Sequence, residues 1–204
     1  MFNDLVDQCE LNFETIQFFA NTLTPFSKVI TSKINDYIRK DIPLEMICPS
    51  HGIIWRDNPL QIVTKYLMWA NSYNENQITI IYDTMYNATR SVAEKIAEGI
   101  YSADTHVNVK LFNASVNNRC DLVTEVFRSK GILIGSPCLN NGILPSVSGF
   151  LDEMKGLKFK NKKAAAFGCY GLKGSSIKII DSKLKEAGFD TIMDPINFKW
   201  SLTE

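Results

Sequence analysis

What this sequence lacks narrows its function before any motif is read. It has no excess of either charge, with 22 Lys plus Arg against 22 Asp plus Glu. Chains that grip nucleic acid carry a basic surplus, so no nucleic-acid partner is expected. No apolar run approaches the roughly 18 residues that a membrane helix needs, so no membrane partner is expected either. The opening MFNDLVDQCE is acidic and has no apolar stretch, which does not read as a signal peptide. The five cysteines (Cys9, Cys48, Cys120, Cys138 and Cys169) are odd in number and form no C-x-x-C pair. That disfavours a disulfide framework and a rubredoxin-type or zinc-ribbon site, and makes a reducing, cytoplasmic setting the expectation. Neither G-x-G-x-x-G nor G-x-x-x-x-G-K-[ST] occurs, which disfavours dinucleotides and nucleoside triphosphates.

What is present is an ordinary globular composition, 45% hydrophobic over 204 residues. That is enough for one full domain or for one domain and part of another. The two parts read differently. Residues 11–35 carry apolar positions at mostly helical spacing, interrupted at Pro25. Residues 42–47 form a short apolar run, and Cys48-Pro49-Ser50-His51-Gly52 follows as a loop. Asn58-Pro59 opens a helix with Pro in its first turn. Residues 71–76 are polar and turn-rich and read as a linker, which sets the boundary between a part at 1–75 and a part at 76–204.

From residue 77 a regular alternation begins. Strands are predicted at 78–82, 107–112, 131–135, 163–167 and 189–193. Helices are predicted at 89–100, 119–128, 146–154 and 175–187. Alternating strands and helices with apolar, doubly buried strands mean an α/β domain with a doubly wound parallel sheet.

Ligands of such sheets bind beyond the carboxyl ends of the strands, which directs attention to three loops. The first is Tyr82-Asp83-Thr84-Met85-Tyr86-Asn87-Ala88-Thr89, rich in hydroxyl and amide groups and ending at a helix N-terminus. Unpaired N–H groups and the positive end of the helix dipole suit a single phosphate there. Taken alone, Thr89 reads better as a helix cap; the loop as a whole reads as a phosphate site. The second loop is Gly135-Ser136-Pro137-Cys138-Leu139-Asn140-Asn141-Gly142, a tight turn with backbone groups at its tip. The third is Gly168-Cys169-Tyr170-Gly171-Leu172-Lys173-Gly174, where Tyr170 offers an aromatic face and the glycines a close backbone. Each of these two loops alone reads as a plain turn. Together the three suit the phosphate, the polar edge and the ring of one flavin mononucleotide.

The wording of these loops resembles a known family. Ile80-Ile81-Tyr82-Asp83-Thr84-Met85 with Thr89, the stretch from Phe127 to Pro137, and Ala166-Phe167-Gly168-Cys169-Tyr170-Gly171 resemble the flavodoxin domain of the flavodiiron proteins. Within that family they resemble the anaerobic nitric oxide reductases called flavorubredoxins. Upstream, the segment from Pro49 to Pro59 resembles the last metal-ligand segment of their metallo-β-lactamase-like di-iron domain. The first eight residues resemble an internal stretch of the same domain.

The resemblance implies a flavodoxin-like five-stranded parallel sheet of order 2-1-3-4-5, preceded by a mainly helical remnant of the di-iron domain. It implies FMN as cofactor, held by Thr84, Met85, Tyr86, Asn87, Ala88, Thr89, Ser136, Pro137, Cys138, Leu139, Asn140, Asn141, Gly142, Gly168, Cys169, Tyr170, Gly171 and Gly174. The implied role is that of an oxidoreductase's electron-transfer module. Its partner would be an electron-donor protein such as a rubredoxin or a flavin reductase. A second copy of the chain, or a chain supplying the rest of the di-iron domain, are further partners. His51 is the one residue at a family metal-ligand position, so no di-iron centre is expected here. Cys138 stands where the family usually has Thr, Cys169 where it has Ser, and Leu172 where it has Trp. The family's last helix, beyond Trp200, is expected to be missing, and Phe13, Ile16, Phe18 and Phe19 to lack a core. Two other readings remain. One is a non-catalytic product of a truncated or split gene that needs a partner chain; the other is a stand-alone flavin reductase.

Overall fold

The computed structural model describes residues 1–172 and 174–200. The chain forms two compact units, Met1–Tyr73 and Asn74–Glu204.

The first unit is built on three helices. Helix α1 spans Gln8–Phe18 and starts at Asp7, whose carboxylate accepts from the Glu10 N–H at 2.8 Å. The helical path then loosens into a wide turn at Phe19–Leu23 and a tight turn at Thr24–Phe26. Pro25 accounts for the break, since it has no N–H to give and crowds the preceding turn. Helix α2 covers Ser27–Arg39 and α3 covers Leu60–Ala70. Asn3 fastens the N-terminal segment. Its side chain donates to the Asp57 carbonyl and accepts from the Arg56 and Asp57 N–H groups, all within 3.1 Å. Arg56 also pairs with Asp4 and lies 3.8 Å over the Phe2 ring. The expectation of a coreless first unit is corrected. Phe19 is fully buried against Tyr66 and Trp69, with ring centres 5.2 and 5.6 Å away, and Ile16 is buried too. Phe13 and Phe18 stay exposed.

The second unit is a parallel sheet wrapped by helices. Its elements are β1 (Glu75–Tyr82), α4 (Ala88–Ala103), β2 (Asn108–Asn113), α5 (Arg119–Arg128), β3 (Ser129–Gly135), α6 (Pro145–Leu157), β4 (Lys163–Tyr170), α7 (Ser176–Glu186), β5 (Asp190–Thr191) and β6 (Ile196–Lys199). The order is β2-β1-β3-β4-β5, every pairing is parallel, and β6 also pairs with β4. This is the flavodoxin-like sheet. Side chains alternate across a strand, so the two faces are read off β1. Ile80 and Tyr82 pack with Val92 and Ala93 of α4, while Gln77 and Thr79 reach Glu125 of α5. Helices therefore cover both faces.

Two features depart from the sequence reading. Strand β1 carries buried polar residues in place of a purely apolar face. Gln77 donates to Glu125 at 2.7 Å and to Ser129 at 3.0 Å, and Thr79 shares a 2.7 Å hydrogen bond with Ser129. Being satisfied, the cluster avoids the penalty of an unpaired buried group. The predicted single fifth strand at 189–193 is also corrected, because that strand is split into β5 and β6. Pro195 lies in the gap and has no N–H for a ladder, so pairing lapses there and resumes at Ile196. The predicted absence of a final helix falls on residues 201–204, which lie outside the described residues. Among the described residues, no helix is long and apolar enough to cross a membrane.

Lys162, the residue before β4, is not on the surface. It is 3% exposed, donates to the Phe127 carbonyl, and lies 5.6 Å from that residue's ring centre. Burial pulls its pKa from 10.5 down to about 7, partly opposed by the charge of Glu75. Between these values the unfolded chain binds a proton that the folded chain does not. Lys162 therefore adds stability progressively as pH rises from about 7 towards 10.5, and that gain is lost again as pH falls back through this window, with none left below about 7. Lys162→Met is expected to flatten the rise by up to about 1.4 kcal/mol per pH unit. Urea denaturation of both proteins at pH 7 and pH 9.5 checks this.

Candidate functional site

The strand order reverses at β1, whose neighbours are β2 on one side and β3 on the other. The loops at the carboxyl edge diverge there and leave a cleft of about 930 Å³. Asp83, the residue after β1, organises it. Its buried carboxylate accepts from the Thr84 N–H at 2.7 Å, from the Ser115 hydroxyl at 3.1 Å, and from the Ser146 hydroxyl in the first turn of α6.

The first loop then turns into α4 through Asn87, which has a left-handed backbone (φ +62°) and gives no side-chain cap. The first N–H groups of α4 are thus left without a side-chain acceptor. Thr84, which lines the same cleft, has its Oγ1 buried without a hydrogen-bond partner. Uncapped amides and an orphaned hydroxyl in one cleft form a donor set that suits an anionic phosphate.

The second loop folds on itself. Leu139 and Gly142 exchange backbone hydrogen bonds at 3.1 and 2.7 Å, and Asn140 and Asn141 between them are both left-handed. That is the hairpin turn which asparagine tolerates best. The third loop continues β4, and the Cys138 N–H donates to the Cys169 carbonyl at 2.9 Å, tying the two loops together. Gly168 is required here, since a Cβ would fall 2.4 Å from the Ser136 carbonyl oxygen.

The cleft gathers Thr84, Met85, Tyr86, Asn87 and Ala88 from the first loop, Pro137, Cys138, Asn140 and Asn141 from the second, and Cys169, Tyr170 and Gly171 from the third. Other residues singled out in the sequence stand behind this wall. Thr89 is buried and contacts Cys169 Sγ at 3.3 Å. Ser136 accepts from the Leu144 N–H. Leu139 and Gly142 close the turn, and Gly168 and Gly174 fit against Ser136 and Asn197. Three further lining residues, Ser91, Leu172 and Trp200, were not among the predicted site residues. Ser91 lies one helical turn beyond the loop, and Trp200 is brought in by β6, so neither carries a local signal. No Asp, Glu, Lys or Arg side chain lines the cleft among the described residues.

The flavodoxin family profile matches residues 80–203, most of the second unit. The chain belongs to the flavodoxin family. This flavodoxin-family chain is also similar to longer proteins across both units. It is 48% identical over 200 residues to the anaerobic nitric oxide reductase flavorubredoxin of Vibrio vulnificus (strain YJ016), covering 98% of this chain and 40% of that one. The rubredoxin oxygen:oxidoreductase of the anaerobe Desulfovibrio gigas is 31% identical, with a TM-score of 0.94 over 100% of this chain and 51% of its own. The flavodiiron protein of Giardia intestinalis shares the fold at 24% identity and a TM-score of 0.91, over 99% of this chain and 50% of its own. The chain thus spans about two fifths to one half of the length of these relatives.

His51, which the sequence resemblance singles out as a metal-ligand position, lies in the first unit. It is exposed at an apolar groove with Phe18, Ile47, Trp55 and Tyr66. Its ring centre is 6.3 Å from that of Phe18. Among the described residues, no group of three or more His, Cys, Asp or Glu is placed to hold a metal ion.

Within the flavodoxin cleft, Cys138 is the chemically distinctive side chain. Its Sγ is 3.2 Å from Ser175 Oγ, just before α7. Burial pushes the thiol pKa up, but hydrogen bonds from the Ser175 side chain and from the Ser175, Asn141 and Ser176 backbones outweigh this, so it lies below the usual cysteine value. Cys138 is expected to react with iodoacetamide at a lower pH than an ordinary cysteine thiol. Ser175→Ala should shift its profile back towards higher pH. Peptide mass spectrometry of alkylation rates between pH 6 and 9 reads both.

Proposed function

We propose that the cleft holds FMN and that the chain is an electron-transfer module of the flavodiiron kind. The observation that carries this is that one cleft is lined by both an uncapped helix start, at α4, and Thr84 with its partnerless hydroxyl. Thr84, Asn87, Ala88 and Ser91 would hold the phosphate. Pro137, Cys138, Asn140 and Asn141 would face the polar edge of the ring system, and Tyr170 and Gly171 its plane. Bound FMN would supply the redox chemistry, one or two electrons at a time. The residues' work is to bind, orient and partly desolvate it, and none is needed as an acid or base. With no charged side chain among the described lining residues, the phosphate would be balanced by backbone N–H groups, the helix dipole and hydroxyls.

The reading includes an electron-donor protein, a rubredoxin or a flavin reductase, in line with the names of the relatives. It places nitric oxide or oxygen reduction at a di-iron centre outside what these residues assemble alone. Supporting this, His51 stands without an acidic or imidazole neighbour set among the described residues. A partner chain, or a further part of the same protein, would have to supply the other ligands.

FMN is expected to bind about a hundredfold more tightly than riboflavin, which lacks the phosphate, since hydrogen bonds to a charged acceptor are each worth roughly 1.5–3 kcal/mol. Thr84→Ala should weaken FMN about tenfold and leave riboflavin unchanged. Fluorescence titration with both ligands decides, and equal affinity for the two would remove the phosphate loop from the site. Iron analysis of the purified chain is expected to find no stoichiometric metal. A full complement lost on His51→Ala would overturn the second half of the proposal.

A further inference from the structure

We infer that Trp200 is a ring-binding residue of the cleft, its indole forming an aromatic wall at the end away from the phosphate loop. The inference rests on the FMN reading and deepens it.

Trp200 follows β6, and its N–H donates to the Tyr170 carbonyl at 2.9 Å, so the pairing of β6 with β4 runs on to the cleft edge. The six-membered ring of the indole then lies over Gly171. A Cβ at that glycine would stand 2.9 Å from Trp200 Cη2 and 3.1 Å from Cζ3. One edge of the indole is thus seated on bare backbone, yet the residue is 64% exposed, against 5% for each of the other tryptophans, Trp55 and Trp69. A tryptophan left this open forgoes much of the burial that usually holds such a side chain in place. Its backbone is left-handed as well (φ +61°), a conformation unfavourable for a bulky residue. The indole is therefore held at the cleft mouth against both preferences.

Its surroundings fit a planar, uncharged ring system. Leu172, Tyr86 and Met85 line the same cleft and are largely exposed, and no charged side chain is among the described lining residues. Asn140 and Asn141 offer amide groups to a polar edge. Orphaned donors lie at the α4 end, and the aromatic surface lies where β4 and β6 end. Trp200 therefore belongs to ring affinity and Thr84 to phosphate affinity.

The test measures FMN and riboflavin binding by the wild-type chain and by Trp200→Ala, Trp200→Phe, Gly171→Ala and the Gly171→Ala/Trp200→Ala double variant. Thermal melting of each checks folding. Trp200→Ala should weaken FMN and riboflavin by the same factor, about tenfold, with Trp200→Phe close to wild type. Gly171→Ala, which pushes the indole off its seat, should weaken both flavins in the wild-type background. It should have little further effect once Trp200 is gone, a non-additivity that a general loss of folding does not produce. FMN should also shield Trp200 emission from acrylamide, while the buried tryptophans are unaffected by that quencher throughout. Wild-type affinity in Trp200→Ala, or a loss confined to FMN, overturns the assignment and leaves the FMN reading intact. A wild-type chain that binds neither flavin overturns both.

Discussion

The Asp83 carboxylate is the constraint on which the shape of the second unit's ligand edge depends. It gathers the loop after β1, the Ser115 turn after β2 and the first turn of α6, three segments distant in sequence. Parallel strands leave their connecting loops free to splay at the carboxyl edge, most of all where the strand order reverses. A single buried acceptor at that point converts divergence into a fixed opening. Its three donors take up the lone pairs that would otherwise make a buried carboxylate costly. The opening is therefore held by contacts within the protein itself. In this sense Asp83 contributes to binding by position, since it does not itself line the cleft.

Much of this was legible in the sequence, and the reasons are specific. Strands such as β3 are continuous apolar runs, because both of their faces meet helices. Helices α4 and α7 show one apolar stripe each, because only one face packs. The three loops were legible because their residue types are those that tolerate tight turns and helix starts. The rest depended on contacts between distant segments. Nothing near Gln77 announces that it will be buried, since its partners Glu125 and Ser129 lie about fifty residues away. Trp200 reaches the cleft only because the fifth strand resumes after Pro195. Phe19 found a core through α3, which its own helix pattern could not foretell.

On the FMN reading, a cleft whose described lining residues carry no charged side chain would select an anion by other means. Charged side chains pair elsewhere on the surface, as Arg90 does with Glu94 and Arg119 with Glu153. The cleft is left to oriented dipoles, which hold their direction at little conformational cost and do not titrate. Such a surface matches the proposed ligand, which carries one anionic group and a large uncharged ring.

The interruption between β5 and β6 has a geometric consequence. Between the pairs Ala164↔Thr191 and Phe167↔Ile196, β4 advances three residues while its neighbour advances five. The surplus is two, an even number. Because side chains alternate with period two, an even surplus restores the inside–outside parity of the strand once pairing resumes. A surplus of one would have carried every later residue to the opposite face. The edge strand can therefore shed or take up residues in pairs at this gap without disturbing the facing of β6.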